Sequence, residues 1–191
     1  MKQDKSFLRT RALLQKKQKY KKIENYNFNF ELIFRLIKKI FLNKKITIAG
    51  YYPANYEVNV VKFLEKASKK NFKLALPVIG PASSMCFNSW IFKDPLYLNS
   101  FGILEPKSSN QKVIPDLIIV PLVAFDKQLN RIGYGKGYYD RILNKIKKIK
   151  KKTIFIGIAY SFQKCSMIPT NKHDFKLDYI FTERGIISSN Y

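Results

Sequence analysis

Leu117-Ile118-Ile119-Val120 is a continuous apolar run, and a short way downstream three glycines stand at alternate positions, Gly133, Gly135 and Gly137. A run with no polar alternation suits a strand buried on both faces, so the chain must supply a layer on each side of it. Between run and glycines, Asp126-Lys127-Gln128-Leu129-Asn130 reads as a turn. Beyond them Tyr139, Ile142, Leu143, Ile146 and Ile149 recur at helical spacing, which predicts a helix beginning near Gly137. Strand, glycine loop and helix N-terminus together form a ready anion site. Backbone N–H groups can approach a phosphate where no Cβ intervenes, and the helix dipole favours negative charge there. Lys136 adds a mobile cation. The spacing is neither the dinucleotide fingerprint nor the P-loop. By glycine spacing alone a plain tight turn serves as well. Arg131, Tyr134, Lys136, Tyr138, Tyr139, Asp140 and Arg141 crowd more charge and aromatic surface around it than a connector needs.

The rest of the chain repeats the alternation of strand and helix. Residues 2–22 read as a charged helix with Lys5 and Arg9 on one face. Phe30, Ile33, Phe34, Ile37, Ile40 and Phe41 mark an amphipathic helix over residues 28–42, packed on a core in preference to a membrane surface. Strands are expected within Lys45–Tyr52, at Ile46–Ala49, and at Lys73–Ile79, Met85–Trp90 and Thr153–Ala159. A helix is expected through Val60, Val61 and Leu64. Gly102–Pro106 reads as a loop, and residues 107–115 as polar and exposed. The fold class is therefore α/β, with a mainly parallel sheet flanked by helices on both faces in a three-layer sandwich, and 1–191 as one domain. Ligands of such sheets bind beyond the carboxyl ends of strands, where Tyr52 and Glu57 fall.

With 191 residues, 46% of them hydrophobic, the chain can build a real core. Lys plus Arg number 36 against 13 acids, a formal net charge of +23. Either an anionic partner or a lysine-rich composition from genome base bias accounts for this. The dominance of Lys over Arg favours the second for the excess as a whole. The run Lys147–Lys152 is read as an exposed helix end and not a nucleic-acid site. Cys86 and Cys165 stand outside any metal-ligand spacing and are expected reduced, as in the cytoplasm. No apolar run has membrane-spanning length, and no signal peptide is evident.

Arg-Ile-Gly-Tyr-Gly-Lys-Gly-Tyr-Tyr-Asp-Arg, residues 131–141, resembles the signature of the 5-formyltetrahydrofolate cyclo-ligase family, whose members are also called methenyltetrahydrofolate synthetases. The resemblance is strongest over Pro115–Arg141 and Gly50–Glu57, and Asp178–Glu183 resembles the family's closing strand. It implies ATP-dependent closure of 5-formyltetrahydrofolate to 5,10-methenyltetrahydrofolate with release of ADP and phosphate, through a phosphorylated formyl oxygen attacked by N10. It implies ATP contacts from Lys5, Arg9, Arg131, Gly133, Tyr134, Gly135, Lys136, Gly137, Tyr138, Tyr139, Asp140 and Arg141, with Lys136 and Arg141 carrying the catalytic charge. Folate would meet Tyr52, Glu57, Lys136, Gly137, Tyr138, Tyr139 and Asp140. A carboxylate at Glu57 suits the paired N–H donors of a pterin. Mg²⁺ would take Asp174 first and Asp140 second. The expected protein is a cytoplasmic monomer acting on folate, polyglutamylated or not, with no specific nucleic acid and no membrane as partner. Two other readings remain: a basic nucleic-acid binder, which leaves the glycine loop unexplained, and a binding-only relative without turnover.

Overall fold

The computed structural model describes residues 4–23, 26–54, 56–82 and 84–189. In chain order the elements are α1 (Lys5–Ile23), α2 (Glu31–Phe41), β1 (Thr47–Ala49), α3 (Val61–Lys69), β2 (Lys73–Ile79), β3 (Met85–Trp90), β4 (Tyr97–Leu98), β5 (Leu104–Glu105) and β6 (Lys112–Val113). They continue with β7 (Leu117–Pro121), β8 (Ala124–Phe125), β9 (Arg131–Ile132), α4 (Tyr138–Ile149), β10 (Ile154–Ile158), β11 (Tyr179–Thr182) and β12 (Gly185–Ser188). Eight strands form one sheet in the order β12-β11-β10-β7-β1-β2-β3-β6. The five from β11 to β2 run parallel, and the edges are antiparallel.

The apolar run is central, as its composition requires. Every residue of β7 is buried, and its side chains alternate between two cores. Leu117 and Ile119 join the core under α2 and α3, with Ile33, Phe34, Phe63 and Leu64. Ile118 and Val120 join the opposite core, with Leu143 and Ile146 of α4. Helices thus cover both faces, the three-layer arrangement expected. Phe63 is fully enclosed, and truncating it to alanine would cost about 3–5 kcal/mol.

Four details differ from the expectations. The strand expected at 46–49 begins one residue later, at Thr47, and Gly50 N still donates to Ala75 O of β2 at 3.0 Å. The stretch 102–106 is not all loop: β5 pairs with β4 as a small hairpin. Within 107–115, β6 extends the sheet edge against β3. The strand 178–183 does not close the chain, since Gly185, at φ 123°, turns β12 back antiparallel to β11. The N-terminal helix begins at Lys5, and residues 2 and 3 lie outside the described residues.

The order of strands places the site. From β1 the chain crosses through α3 to β2 on one side; from β7 it crosses through α4 to β10 on the other. β1 and β7 are neighbours. Connections leaving adjacent parallel strands in opposite directions open a crevice at their carboxyl ends. Among the described residues, no helix is long and apolar enough to cross a membrane.

Candidate functional site

A cleft of about 1030 Å³ occupies that crevice. Its floor is the residues that leave the strands: Tyr51 and Tyr52 after β1, Pro77 and Ile79 of β2, and Pro121 of β7. One wall is the glycine loop with the first turn of α4. Facing it are Lys5 and Arg9 of α1 and the segment around Asp174, and Phe101 of the β4–β5 hairpin stands at the rim.

The loop owes its position to a buried acid. Asp126 is fully enclosed and accepts from Gln128 N (2.9 Å), Asn130 N (3.0 Å), Asn130 Nδ2 (2.9 Å) and Ile168 N (3.0 Å). These bonds satisfy the carboxylate and lock the turn that carries β8 into β9. Downstream, Gly135 and Gly137 have φ of 102° and 67°, the left-handed region in which a side chain is strained. Gly137 directly precedes α4. Lys136 lies over the Phe101 ring at 3.5 Å, and Arg141 over the Tyr138 ring at 5.4 Å. Both loop cations thus rest on aromatic faces at the cleft.

α1 is strongly basic, yet it docks. Leu8 and Ala12 are buried against Val123, Ala124, Ile132 and Ile168. This seats the same helix face over the loop. Arg9 Nε donates to Gly133 O at 2.9 Å, and Lys5 Nζ pairs with Asp174 Oδ1 at 2.5 Å. Burial pushes Asp174 up, but the Lys5 ammonium and the Asn171 N–H outweigh it and hold it below the usual carboxylate range.

Glu57 lines the cleft among tyrosines. Its Oε2 accepts from Ala54 N at 2.9 Å, and it is hydrogen-bonded to Tyr134. Burial pushes its carboxyl up to about 7 against the opposing pull of the Ala54 N–H, the Lys16 charge and Tyr134. Tyr51, Tyr134 and Tyr139 are all raised, first by burial and then by the Glu57 charge. Tyr51 is anchored, donating to Val58 O at 2.8 Å. The Tyr139 hydroxyl is buried without a partner. Such a group is costly to bury, and a ligand in the cleft would satisfy it.

The two candidate metal carboxylates are both engaged. Asp140 Oδ1 accepts from Arg131 Nη2 at 2.7 Å and from Phe175 N at 3.2 Å. Arg131 is itself buried, so its guanidinium works as a prop for Asp140 more than as an open phosphate contact. No group of three metal-ligating side chains occurs among the described residues. A single carboxylate beside phosphate oxygens fits Mg²⁺, which keeps most of its shell from water and substrate.

All fifteen residues singled out from the sequence line this one cleft: Lys5, Arg9, Tyr52, Glu57, Arg131, Asp174 and the whole stretch Gly133–Arg141. Three participants were not foreseen. Tyr51 was passed over for its neighbour Tyr52. Phe101 gave no signal, since nothing local ties a hairpin tip to a loop far along the chain. Lys16 looked like one more solvated lysine but is 1% exposed, with Nζ donating to Tyr134 Oη at 2.9 Å. Its one available signal was the four-residue spacing from Leu8 and Ala12.

Comparison with known proteins gives one answer. The profile of the 5-formyltetrahydrofolate cyclo-ligase family matches residues 1–183. A 5-formyltetrahydrofolate cyclo-ligase of Mycoplasma pneumoniae is 34% identical over 184 residues, covering 94% of this chain and 99% of that protein. The Haemophilus influenzae protein of the same name is 35% identical over 136 residues, covering 68% and 72%. The solved structure of Aquifex aeolicus 5,10-methenyltetrahydrofolate synthetase superposes with a TM-score of 0.74 at 28% identity, covering 98% of this chain and 93% of that one.

Proposed function

The chain belongs to the 5-formyltetrahydrofolate cyclo-ligase family, and we propose that the cleft between the glycine loop, α1 and Glu57 is where it closes the ring. The reaction is the ATP-dependent conversion of 5-formyltetrahydrofolate to 5,10-methenyltetrahydrofolate with release of ADP and phosphate. The observation that carries the site assignment is the gathering of two chemistries in one cavity. Seven Lys and Arg side chains and the glycine loop line it, together with a carboxylate among tyrosines, Glu57, bonded to the loop's own Tyr134.

The chemistry explains why both sets of groups are needed. A formamide carbon is a poor electrophile, and its oxygen is a poor leaving group. Transfer of the γ-phosphoryl group to the formyl oxygen, with departure of ADP, remedies both. N10 of the same molecule then attacks that carbon, and the phosphorylated oxygen leaves as phosphate. Tethering of N10 makes the closure intramolecular. The protein's part is positioning and charge neutralisation. Loop N–H groups, Lys136, Arg141, Lys5 and Arg9 receive the triphosphate. Arg131 holds Asp140 at the start of α4. Glu57, Tyr52, Tyr138 and Tyr139 frame the folate, with the unpartnered Tyr139 hydroxyl available to a ring polar group. Asp174 is the first candidate to hold Mg²⁺, which supplies charge neutralisation at the phosphates. Releasing Lys5 from Asp174 frees both, one for phosphate and one for metal.

Folate polyglutamates are favoured over the monoglutamate by the basic charge. The chain is read as a monomeric single domain, and its two free cysteines fit a reducing compartment such as the cytoplasm. The test of the whole is direct: mixing the protein with 5-formyltetrahydrofolate, ATP and Mg²⁺ should produce methenyltetrahydrofolate absorbance, with no signal when either substrate is omitted. Strong, salt-sensitive RNA retention without turnover would point instead to a nucleic-acid binder.

A further inference from the structure

Lys16 is the buried charge that the site as described does not use. It continues the stripe Leu8, Ala12, Lys16 that packs α1 onto the body, and an apolar residue there would complete that stripe. An ammonium taken out of water is costly unless it is paired. The compensation is a hydrogen-bonded line: Lys16 Nζ donates to Tyr134 Oη at 2.9 Å, and Tyr134 is hydrogen-bonded to the Glu57 carboxylate. With its lone pair taken up by the ammonium, the tyrosine hydroxyl has its proton to give to the carboxylate, and each bond polarises the next. Lys16 is not among the residues lining the cleft, whereas Glu57 and Tyr134 are.

We propose that Lys16 is a positioning residue for substrate recognition, holding the Glu57 carboxylate ionised and aimed into the cleft through the Tyr134 hydroxyl. The proposal rests on the reading of Glu57 as the folate-binding acid. A protonated Glu57 would lose half its accepting capacity and turn a donor toward the N–H groups of a pterin. The titratable groups facing Glu57 are Lys16 from α1, Tyr134 from the glycine loop, Tyr51 after β1 and Tyr139 from α4. Among these only Lys16 is cationic, and it alone pulls the carboxyl down through its charge. Burial in turn pushes the lysine down to about 8, and the Glu57 charge opposes that fall. A buried, mutually dependent acid and base thus stand at the cleft wall, Glu57 lining it and Lys16 behind.

The test is the affinity for 5-formyltetrahydrofolate, measured by calorimetry on the full chain from pH 6 to 9, with ATP affinity alongside. In the parent, affinity should rise as Glu57 ionises. In Lys16→Met the acidic limb should move up by at least one pH unit, with a fall of about tenfold at pH 7 and ATP binding unchanged. Lys16→Arg, which keeps the charge, should hold the limb near its parental place. In a Glu57→Gln background, Lys16→Met should have no further effect on folate. If Lys16→Met does not fold, Lys16→Gln, which keeps a polar donor and loses the charge, is read in the same way. An unmoved acidic limb in Lys16→Met, or in Lys16→Gln where that variant is needed, overturns the proposal while leaving the Glu57 reading intact. Parental folate affinity in Glu57→Gln overturns both.

Discussion

At the scale of single residues, Glu57 and its surroundings make the sharpest predictions. Glu57→Gln keeps the shape and removes the charge, so folate affinity should fall while ATP affinity stays near the parental value. One charged hydrogen bond is worth roughly 1.5–3 kcal/mol, a loss of about tenfold or more. Calorimetric titration of each ligand reads both quantities. The same carboxyl makes opposite demands on stability and binding. Its folded value is raised, by burial first, so its contribution to stability is full below the ordinary glutamate range and is lost as pH rises toward about 7. Thermal melts of the ligand-free protein should show this loss between about pH 5 and 7, and Glu57→Gln should lack it. Binding of folate should strengthen over that same window. A parent and a variant with parallel melting curves across pH would remove Glu57 from this account. Nothing in the sequence foretold the raised value, because it arises from burial, against the pull of the Ala54 N–H, Lys16 and Tyr134, and that enclosure is assembled by segments far apart in the chain.

At the scale of elements, α1 and the glycine loop are one device. Leu8 and Ala12 dock the helix, and Lys5 and Arg9 then reach Asp174 and the Gly133 carbonyl. Lys5→Ala and Arg9→Ala should each raise the KM for ATP about tenfold or more, with a smaller effect on folate. Nucleotide should protect the first turns from proteolysis in the parent and less so in the double variant. Kinetics equal to the parent's would return these side chains to plain surface charge. Gly135→Val should fold and lose nucleotide binding. Its Cβ would meet only Arg9, at 3.5 Å, so the damage comes from the backbone angle at φ 102° and not from a collision. A folded variant that binds ATP normally would show the loop to be a simple turn. The existence of both elements was legible: the helix from its spacing, the loop from its glycines. Their contact was not, since Arg9 and Gly133 are 124 positions apart.

At the scale of the whole molecule, the charge of +23 is divided between structure and solvent. Lys150 pairs with Asp116 at 2.7 Å and Lys147 lies over Phe155 at 5.4 Å, so even the lysine run that ends α4 is partly spent on packing. The remaining cations set a field that should draw polyanionic folates. The polyglutamylated substrate should bind more tightly than the monoglutamate at low salt, the preference shrinking as ionic strength rises. Equal affinities at low salt would leave composition alone to explain the charge. Local sequence determined what each segment is, because a wholly apolar run, a 3.6-residue period or alternate glycines restrict a segment's own backbone and faces. It therefore sufficed for the α/β class, the central strand and the glycine loop, while the other site residues were reached through the resemblance of residues 131–141 and their flanks to a known family. The tertiary structure alone decided which segments meet. The reversal of strand order between β1 and β7 opened the cleft, α1 brought Lys16 under Glu57, and the β4–β5 hairpin carried Phe101 to Lys136. Those pairings depend on long-range burial, which no stretch of local sequence encodes by itself.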